Sequence, residues 1–523
     1  FADDIAILSD SYAGMEANMK ILQTFCKNTG LQINIKKTAG FHCRPSRKTF
    51  LYNTREKWKI NEEPVSYIEP GELEKYLGAR IDPWAGVTED KWSAKLNNWI
   101  TSLKAAALKP TQKLEILKTH MIPRIYYHLI LTEASQNTII KLDQIIKKSV
   151  KEILHLPADT TDGILYSKNK DGGLGLPKLE VQIPSAIIRK LESLEKSEDA
   201  VILASFQFRG DNNAEHIAKL KNLRVLKEIQ EFLEPAKSKN KEGPGLSTIL
   251  EEEESTPSIS LDRRLRNVLG IEGKDKPANK YAEWRKWEFD KWTKLLAQGS
   301  GIQYYENDII SNTWLNRFHY IKQSQFIKRL LLRCNLYPTR CTLSYGRSNM
   351  AKLCRRCAIT NETLAHISGQ CPAVKNARIK RHNKIVDKLK EKVVKNGWTV
   401  HIEPRFRTED GRLWKPDLIF VKGQEVALVD VTVRYESNNK ELERAWKEKN
   451  EKYKHLMGQI VEMTKGTSIR FFGFVMGARG KWHEQNNTLM QFLKIERYKS
   501  FSKNLADLTI ALTLDILQIF SDQ

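Results

Sequence analysis

A chain of 523 residues with 41% hydrophobic content can build two to four domains with real cores. Its 86 Lys and Arg against 63 Asp and Glu leave a formal charge of +23, which implies an anionic partner, most simply nucleic acid. Seven cysteines, three of them in one cluster, do not make a disulfide framework, and no signal peptide is visible. Cys26, Cys43, Cys334 and Cys341 read as reduced thiols of an intracellular protein.

From the N-terminus, Phe1 to Leu8 carries Asp3 and Asp4 and continues as a strand-like apolar run. A helix is predicted from about Ser11 to Thr29, stopped by Gly30, with short strands at Leu31 to Lys37, Gly40 to Cys43 and Tyr76 to Ile81. About Lys91 to Leu156 reads as Lys-rich helix with Ile and Leu on one face, closed by Gly172-Gly173-Leu174-Gly175-Leu176-Pro177. Residues 236–261 combine Lys, Asn, Gly and Pro with the acidic run Glu251 to Glu254, the composition of a disordered or loosely packed linker. About Tyr281 to Arg333 is again helical and Trp-rich. The longest apolar tract, Leu505 to Phe520, is interrupted by Asp507 and Asp515 and is too short to span a bilayer, so a C-terminal core helix is expected and no membrane partner.

Between these lie two motifs that carry chemistry. Cys354-x2-Cys357-x8-His366-x4-Cys371 has knuckle spacing in an otherwise Cys-poor chain, and four such ligands suit a tetrahedral, closed, structural Zn2+ site. The competing account is three unconnected buried Cys and a surface His. Residues 375–395 follow with nine Lys and Arg against Asp387 and Glu391, a segment that reads as a phosphate-gripping surface rather than a merely solvated helix face.

The second motif is Lys415-Pro416-Asp417 with Asp430 downstream. Leu418 to Val421 and Val426 to Val433 read as strands joined at Gly423-Gln424, and Gly in the first loop position suits a type II′ hairpin. That register sets Asp417 opposite Asp430, and two facing carboxylates, one inside an apolar run, call for a divalent cation, Mg2+, between them. In the helix from about Asn439, the core-facing stripe Leu442, Trp446, Lys449, Tyr453, Leu456 contains a single charge. Lys449 is therefore the expected third catalytic residue, with Tyr453 as an assistant, whereas Lys447, Lys452 and Lys454 fall off the stripe. Pro416-Asp417, Asp430 and a downstream Lys resemble the PD-(D/E)xK nuclease superfamily, except that Thr432 stands where the pattern has Lys, so Lys449 would be a migrated lysine.

Ala2-Asp3-Asp4 resembles the metal-holding hairpin of reverse transcriptase palms, and Gly30-Leu31-x2-Asn34-x2-Lys37-Thr38 and Tyr76-Leu77-Gly78 resemble the next two palm motifs in order. In that setting Asp3 and Asp4 would hold Mg2+ and Lys37 would donate a proton near the pyrophosphate. A chain opening inside that motif is expected to be a fragment whose upstream polymerase half is missing. The order palm end, thumb, knuckle, nuclease resembles the C-terminal part of site-specific non-LTR retrotransposon proteins of the R-two type, supported by Asn335-x2-Pro338-Thr339-Arg340 and Gly477-Ala478-Arg479-Gly480.

The resemblance implies a multidomain α+β chain. The expected division is a truncated palm end at 1–81, a helical thumb at 82–180, a helical and partly disordered linker at 181–280, a helical region with the knuckle at 281–395, and an α/β nuclease at 396–523. It implies target-primed reverse transcription, in which the nuclease nicks a chromosomal strand and the polymerase copies element RNA from the exposed 3′-hydroxyl. Partners would be double-stranded target DNA, element RNA and deoxynucleotides, in the nucleus, with a homodimer an open option. Arg340 and Arg347 are candidate nucleic-acid contacts. A stand-alone endonuclease with a decayed polymerase, or a DNA-binding protein without activity, are the competing classes.

Overall fold

A computed structural model of the chain describes residues 4–46, 49–52, 56–76, 79–82, 86–87, 92–239, 281, 283–316, 320–347, 349–438 and 440–522. Helix α1 (Tyr12–Thr29) starts at Ser11, whose hydroxyl accepts from the Gly14 amide at 3.2 Å, and ends at Gly30 in the left-handed region at φ +75°. The expected strand through Leu8 does not form: Asp4 to Ser9 has no regular structure, because a strand needs a ladder partner and none pairs with it among the described residues. Ile35–Lys37 is a single 3-10 turn closed by the Thr38 amide on Ile35, not the end of a strand. The predicted strand Tyr76 to Ile81 is a hairpin instead, Glu74–Tyr76 pairing antiparallel with Ala79–Asp82, while Leu77 and Gly78 lie outside the described residues. Trp58, Ile60, Val65 and Tyr67 close a small core against Met19 of α1.

The helical body follows the predicted periodicity. In α2 (Trp92–Ala105) the residues Trp92, Leu96, Ile100 and Leu103 are buried, and in α3 (Gln136–Ile153) so are Ile139, Leu142, Ile146, Val150 and Ile153. With α4 (Leu179–Leu194) they share one core with α5 (Trp284–Thr293) and α6 (Gln323–Arg333). A buried Lys178–Glu288 ion pair ties the loop before α4 to α5, and the Lys178 ammonium lies 5.2 Å from the Trp287 ring centre. Of the expected linker, 236–239 finish a helix spanning Arg224–Lys239, and 240–261 lie outside the described residues.

The Cys/His cluster is bracketed by α7 (Leu364–Gly369) and followed by α8 (Lys375–Val394). Next comes a sheet in the order β1 (Thr399–Ile402), β2 (Leu418–Lys422), β3 (Glu425–Arg434), β4 (Ser468–Gly477). The first two pairings are antiparallel and the third is parallel, with α9 (Glu441–Glu451) in the crossover. The hairpin register is as predicted, Lys422 opposite Glu425, with Gly423 at φ +59° and Gln424 outside the left-handed region. β3 is buried from Val426 to Thr432, which is why its sequence reads as a continuous apolar run. On one face Leu418, Phe420, Ala427 and Val429 meet Ile385, Leu389 and Val393 of α8; on the other Ile419, Val426 and Leu428 meet Tyr453, Leu456 and Ile460.

α10 (Tyr498–Asp522) is the one helix among the described residues long and apolar enough to cross a membrane, but half of its apolar window is buried inside the protein. Leu505 and Ala506 join the core under the sheet, while Ile510, Leu514 and Leu517 join the core of the helical body. The expected boundary at 395/396 therefore does not divide two cores. α8 supplies one wall of the sheet's core, and α10 crosses back over α7 and α8.

Candidate active site and metal centre

Asp417 stands one residue before β2, and the hairpin register extends to place it opposite Asp430 in the middle of β3. β3 runs on past the end of β2, so its next amide toward that side has lost its ladder acceptor, and Val431 N–H donates to Asp417 Oδ2 at 2.6 Å. The other oxygen, Oδ1, lies 3.2 Å from Nε2 of His382 on α8. Burial would raise the Asp417 carboxyl, but His382 and the Val431 amide outweigh it and hold it below its ordinary value. Asp430 goes the other way: burial first, then the negative charge of Asp417, raise it against the pull of Lys449. Two facing carboxylates, one lowered and one raised, are an arrangement that a divalent cation relieves.

Lys449 projects from α9 with its side chain only 14% exposed, and its Nζ lies 2.7 Å from Asp430 Oδ2. That oxygen is buried and has no well-directed hydrogen-bond donor, so it retains capacity for a further cationic partner. Tyr453 is buried as the stripe requires; its hydroxyl donates to the Lys415 carbonyl at 2.9 Å and lies 3.4 Å from Asp430 Oδ1. Burial and the Asp430 charge raise the phenol well above its ordinary value, so it stays a neutral donor. Lys452, excluded by the helical phase, also approaches Asp430 Oδ2, at 3.5 Å. The reason is that Lys452 keeps helical geometry, its amide donating to the Glu448 carbonyl at 3.1 Å, and stands three residues after Lys449, so the two share a helix face. Asn439, the expected start of that helix, lies outside the described residues.

Cys354, Cys357, His366 and Cys371 place four ligand atoms within 4.8 Å of one another, the one such group of Cys, His, Asp or Glu among the described residues. Cys354 and Cys371 sulfurs are 3.9 Å apart, and Cys357 Sγ is 3.3 Å from His366 Nε2, separations that a single tetrahedral ion can bridge. His366 Nδ1 is 2.9 Å from the Thr360 hydroxyl, which orients the ring and leaves Nε2 for the ion. Burial pushes the Cys371 thiol up to about 11, so a cation is what would make the thiolate stable there. Glu362, fully buried, braces the cluster by accepting from the Arg340 amide at 2.8 Å and from the Arg355 amide at 2.9 Å, with the Arg355 guanidinium paired to it.

Arg340 is therefore partly committed to the cluster, its guanidinium also donating to the Leu353 carbonyl at 3.0 Å, while Arg347 is exposed. At the other end of the chain Asp3 lies outside the described residues, and Asp4 and Lys37 are both exposed. The described structure thus brings together Asp417, Asp430 and Lys449 and brings together the Cys/His cluster, whereas the polymerase motif falls partly outside the described residues. Sequence reasoning missed His382, which sits in a basic helix with no motif around it, and set Lys452 off the stripe although it shares a helix face with Lys449.

The chain is 25% identical over 502 residues, 95% of its length and 92% of the relative's, to a retrovirus-related Pol polyprotein from type-1 retrotransposable element R2 of Popillia japonica. It is 27% identical over 439 residues to the corresponding Nasonia vitripennis protein, and 22% identical over 436 residues to the polyprotein of type-2 retrotransposable element R2DM of Drosophila melanogaster. Each of those alignments takes in 83% of this chain and 36% of the longer protein, so the chain spans about a third of those two relatives. No protein-family model matches the chain.

Proposed function

Since the chain belongs to the R2-type non-LTR retrotransposon Pol polyproteins, we propose that its C-terminal part is a cation-dependent DNA endonuclease and its N-terminal part the end of an RNA-directed DNA polymerase. The observation that carries the nuclease reading is the half-buried Asp417 facing the buried Asp430, with Lys449 2.7 Å from Asp430 Oδ2. Asp417 and Asp430 would hold the divalent ion, Mg2+, which when bound supplies an activated water and charge stabilisation at a phosphodiester. The donor set fits such a hard cation: two facing carboxylates, with no well-directed hydrogen bond on Asp430 Oδ2. Lys449 favours the ionised form of Asp430 and offers its remaining ammonium protons to the attacking water or the scissile phosphate. Tyr453 fixes the Lys415-Pro416-Asp417 turn through the Lys415 carbonyl, and Lys452 adds positive charge at the rim.

The Cys/His cluster is proposed to be a structural Zn2+ site that anchors the basic helix α8. Asp3 and Asp4 are proposed as Mg2+ ligands of the polymerase, on the motif and on the Pol description of the relatives. On this reading the chain acts in the nucleus on chromosomal DNA, element RNA and deoxynucleotides, nicking one strand and priming synthesis from it.

The test is nicking of supercoiled DNA by the full chain with Mg2+, beside Asp417→Asn, Lys449→Ala and Lys452→Ala. Nicking abolished by the first two and only reduced by the third is the expected result. Undiminished nicking by Asp417→Asn would sink the assignment.

A further inference from the structure

We propose that His382 is a positioning residue of the nuclease site, supplied by the helix behind the Cys/His cluster, and that it holds the Asp417 carboxylate in the orientation that receives the cation. The inference rests on the nuclease reading of Asp417 and Asp430 and adds to it a residue from a different segment of the chain.

The geometry is specific. Asp417 has both oxygens engaged, Oδ2 by the Val431 amide at 2.6 Å and Oδ1 by His382 Nε2 at 3.2 Å. Two contacts at fixed points restrict rotation about the carboxylate's bond, leaving the remaining lone pairs to point one way. The Val431 contact comes from the sheet itself. The His382 contact comes from α8, and without it one oxygen would have no protein donor to set its direction.

α8 is in turn held at both ends around His382. On the cluster side, Arg378 donates to the Gly369 carbonyl at 2.7 Å and to the Cys371 carbonyl at 3.1 Å. Arg381, itself buried, donates to the Ser368 carbonyl at 2.8 Å and to Thr513 Oγ1 of α10 at 2.9 Å. On the sheet side, Ile385, Leu389 and Val393 are buried in the core beneath β2 and β3. His382 thus falls between three residues that grip the sheet and two that grip the cluster, so neither the rotation nor the height of its Cα is free. Nothing local asks for histidine there, since its helix propensity is poorer than that of the Lys and Arg that surround it. Lys380 and Lys384, its neighbours in sequence, line a separate groove on the outer side of α8 with Asn376 and Asn383, which leaves His382 as the α8 side chain in contact with Asp417 among the described residues.

The experiment is a Mg2+ titration of nicking by the zinc-replete full chain at fixed pH, for the parent, His382→Ala, His382→Gln and Asp417→Asn. Loss of a ligand-orienting partner typically costs about 10- to 100-fold in metal affinity or activity. His382→Ala is expected to need about 10-fold or more Mg2+ for half-maximal nicking, to recover at saturating Mg2+, and to bind DNA as the parent does. His382→Gln is expected to return toward the parental requirement, because its amide nitrogen can donate from near the Nε2 position. A parental Mg2+ requirement in His382→Ala overturns the proposal, and so does a loss of nicking that tracks a matching loss of DNA binding, which would make His382 a phosphate contact. Mn2+ binding followed by calorimetry on the same proteins provides a readout independent of turnover, with unchanged affinity in His382→Ala counting against it. Asp417→Asn separates the two claims: undiminished nicking there removes the nuclease reading itself, whereas loss there with no change in His382→Ala removes only the role of His382.

Discussion

Gly473 lies opposite Asp430 in the parallel pairing of β3 and β4, and α9 lies directly on it. A Cβ at this position would stand 2.7 Å from the Trp446 carbonyl oxygen and 2.9 Å from the Lys449 Cβ, where ordinary contact begins at 3.4 Å. Gly473→Ala therefore forces α9 to retreat by the shortfall of 2.7 against 3.4 Å, about 0.7 Å, or the sheet to yield by as much. Carried to the Lys449 ammonium, that shift would lengthen its 2.7 Å approach to Asp430 beyond the usual hydrogen-bond range of about 2.7–3.2 Å. Overpacking of this kind costs about 1–3 kcal/mol of stability. A weakened contact between charged groups is worth about 1.5–3 kcal/mol, so nicking should fall by about 10- to 100-fold. The assay is single-turnover nicking of supercoiled DNA, with thermal melting of the same protein and Gly458→Ala as control, a glycine with nothing within 4 Å of its would-be Cβ. If Gly473→Ala melts lower but nicks at the parental rate, the flexible lysine stem has absorbed the shift and the reasoning about Lys449 placement is refuted.

Glu436 and Arg479 form a fully buried pair, with Glu436 also accepting from the Tyr305 hydroxyl at 2.9 Å and from the Arg479 amide at 3.0 Å. Glu436→Ala strands the guanidinium and should cost about 3–5 kcal/mol, read as a lower urea midpoint, and a cost below about 1 kcal/mol would contradict the account. Asp143 accepts from the Leu179 and Glu180 amides at 2.9 and 2.7 Å, yet burial holds its carboxyl up at about 7 from 3.8. The native state then binds that proton more tightly than the unfolded chain, so this stabilisation is complete below pH 3.8 and is lost as the pH rises to about 7. Urea midpoints at pH 5 and pH 8 should differ more for the parent than for Asp143→Asn, and equal differences would rule this out. The full chain should carry one equivalent of zinc by elemental analysis, and Cys371→Ser should lose it and melt lower; retention of the metal by that variant would exclude the cluster as its site.

The parts of the site legible in the sequence were those fixed by short-range rules. Asp417 faces Asp430 because a two-residue loop at Gly423-Gln424 leaves no choice of register, and Lys449 reaches Asp430 because it shares a helical stripe with Leu442. The cluster ligands sit close together because each is bound to a tight turn or a short helix. What was not legible depends on contacts between distant segments. His382 meets Asp417 across 35 residues only because α8 lies under the sheet, and Lys452 meets Asp430 only because the end of α9 packs over β3. Asp4 to Ser9 fails as a strand for the same reason, since an apolar run becomes a strand only when a ladder partner is in place. The expected domain boundary at 395/396 falls at the end of the basic helix, but Ile385, Leu389 and Val393 of that helix belong to the core on its far side.

Sharing α8 between the cluster and the sheet removes a freedom that tandem domains ordinarily have. A recombination or cleavage event between residues 395 and 396 would strip Leu418, Phe420, Ala427 and Val429 of their cover and would carry His382 away from Asp417. The Cys/His cluster and the sheet that follows it are therefore held together by one shared helix. A substitution that loosens the Cys/His cluster should be felt as a defect in strand cutting, some distance from the residues that changed.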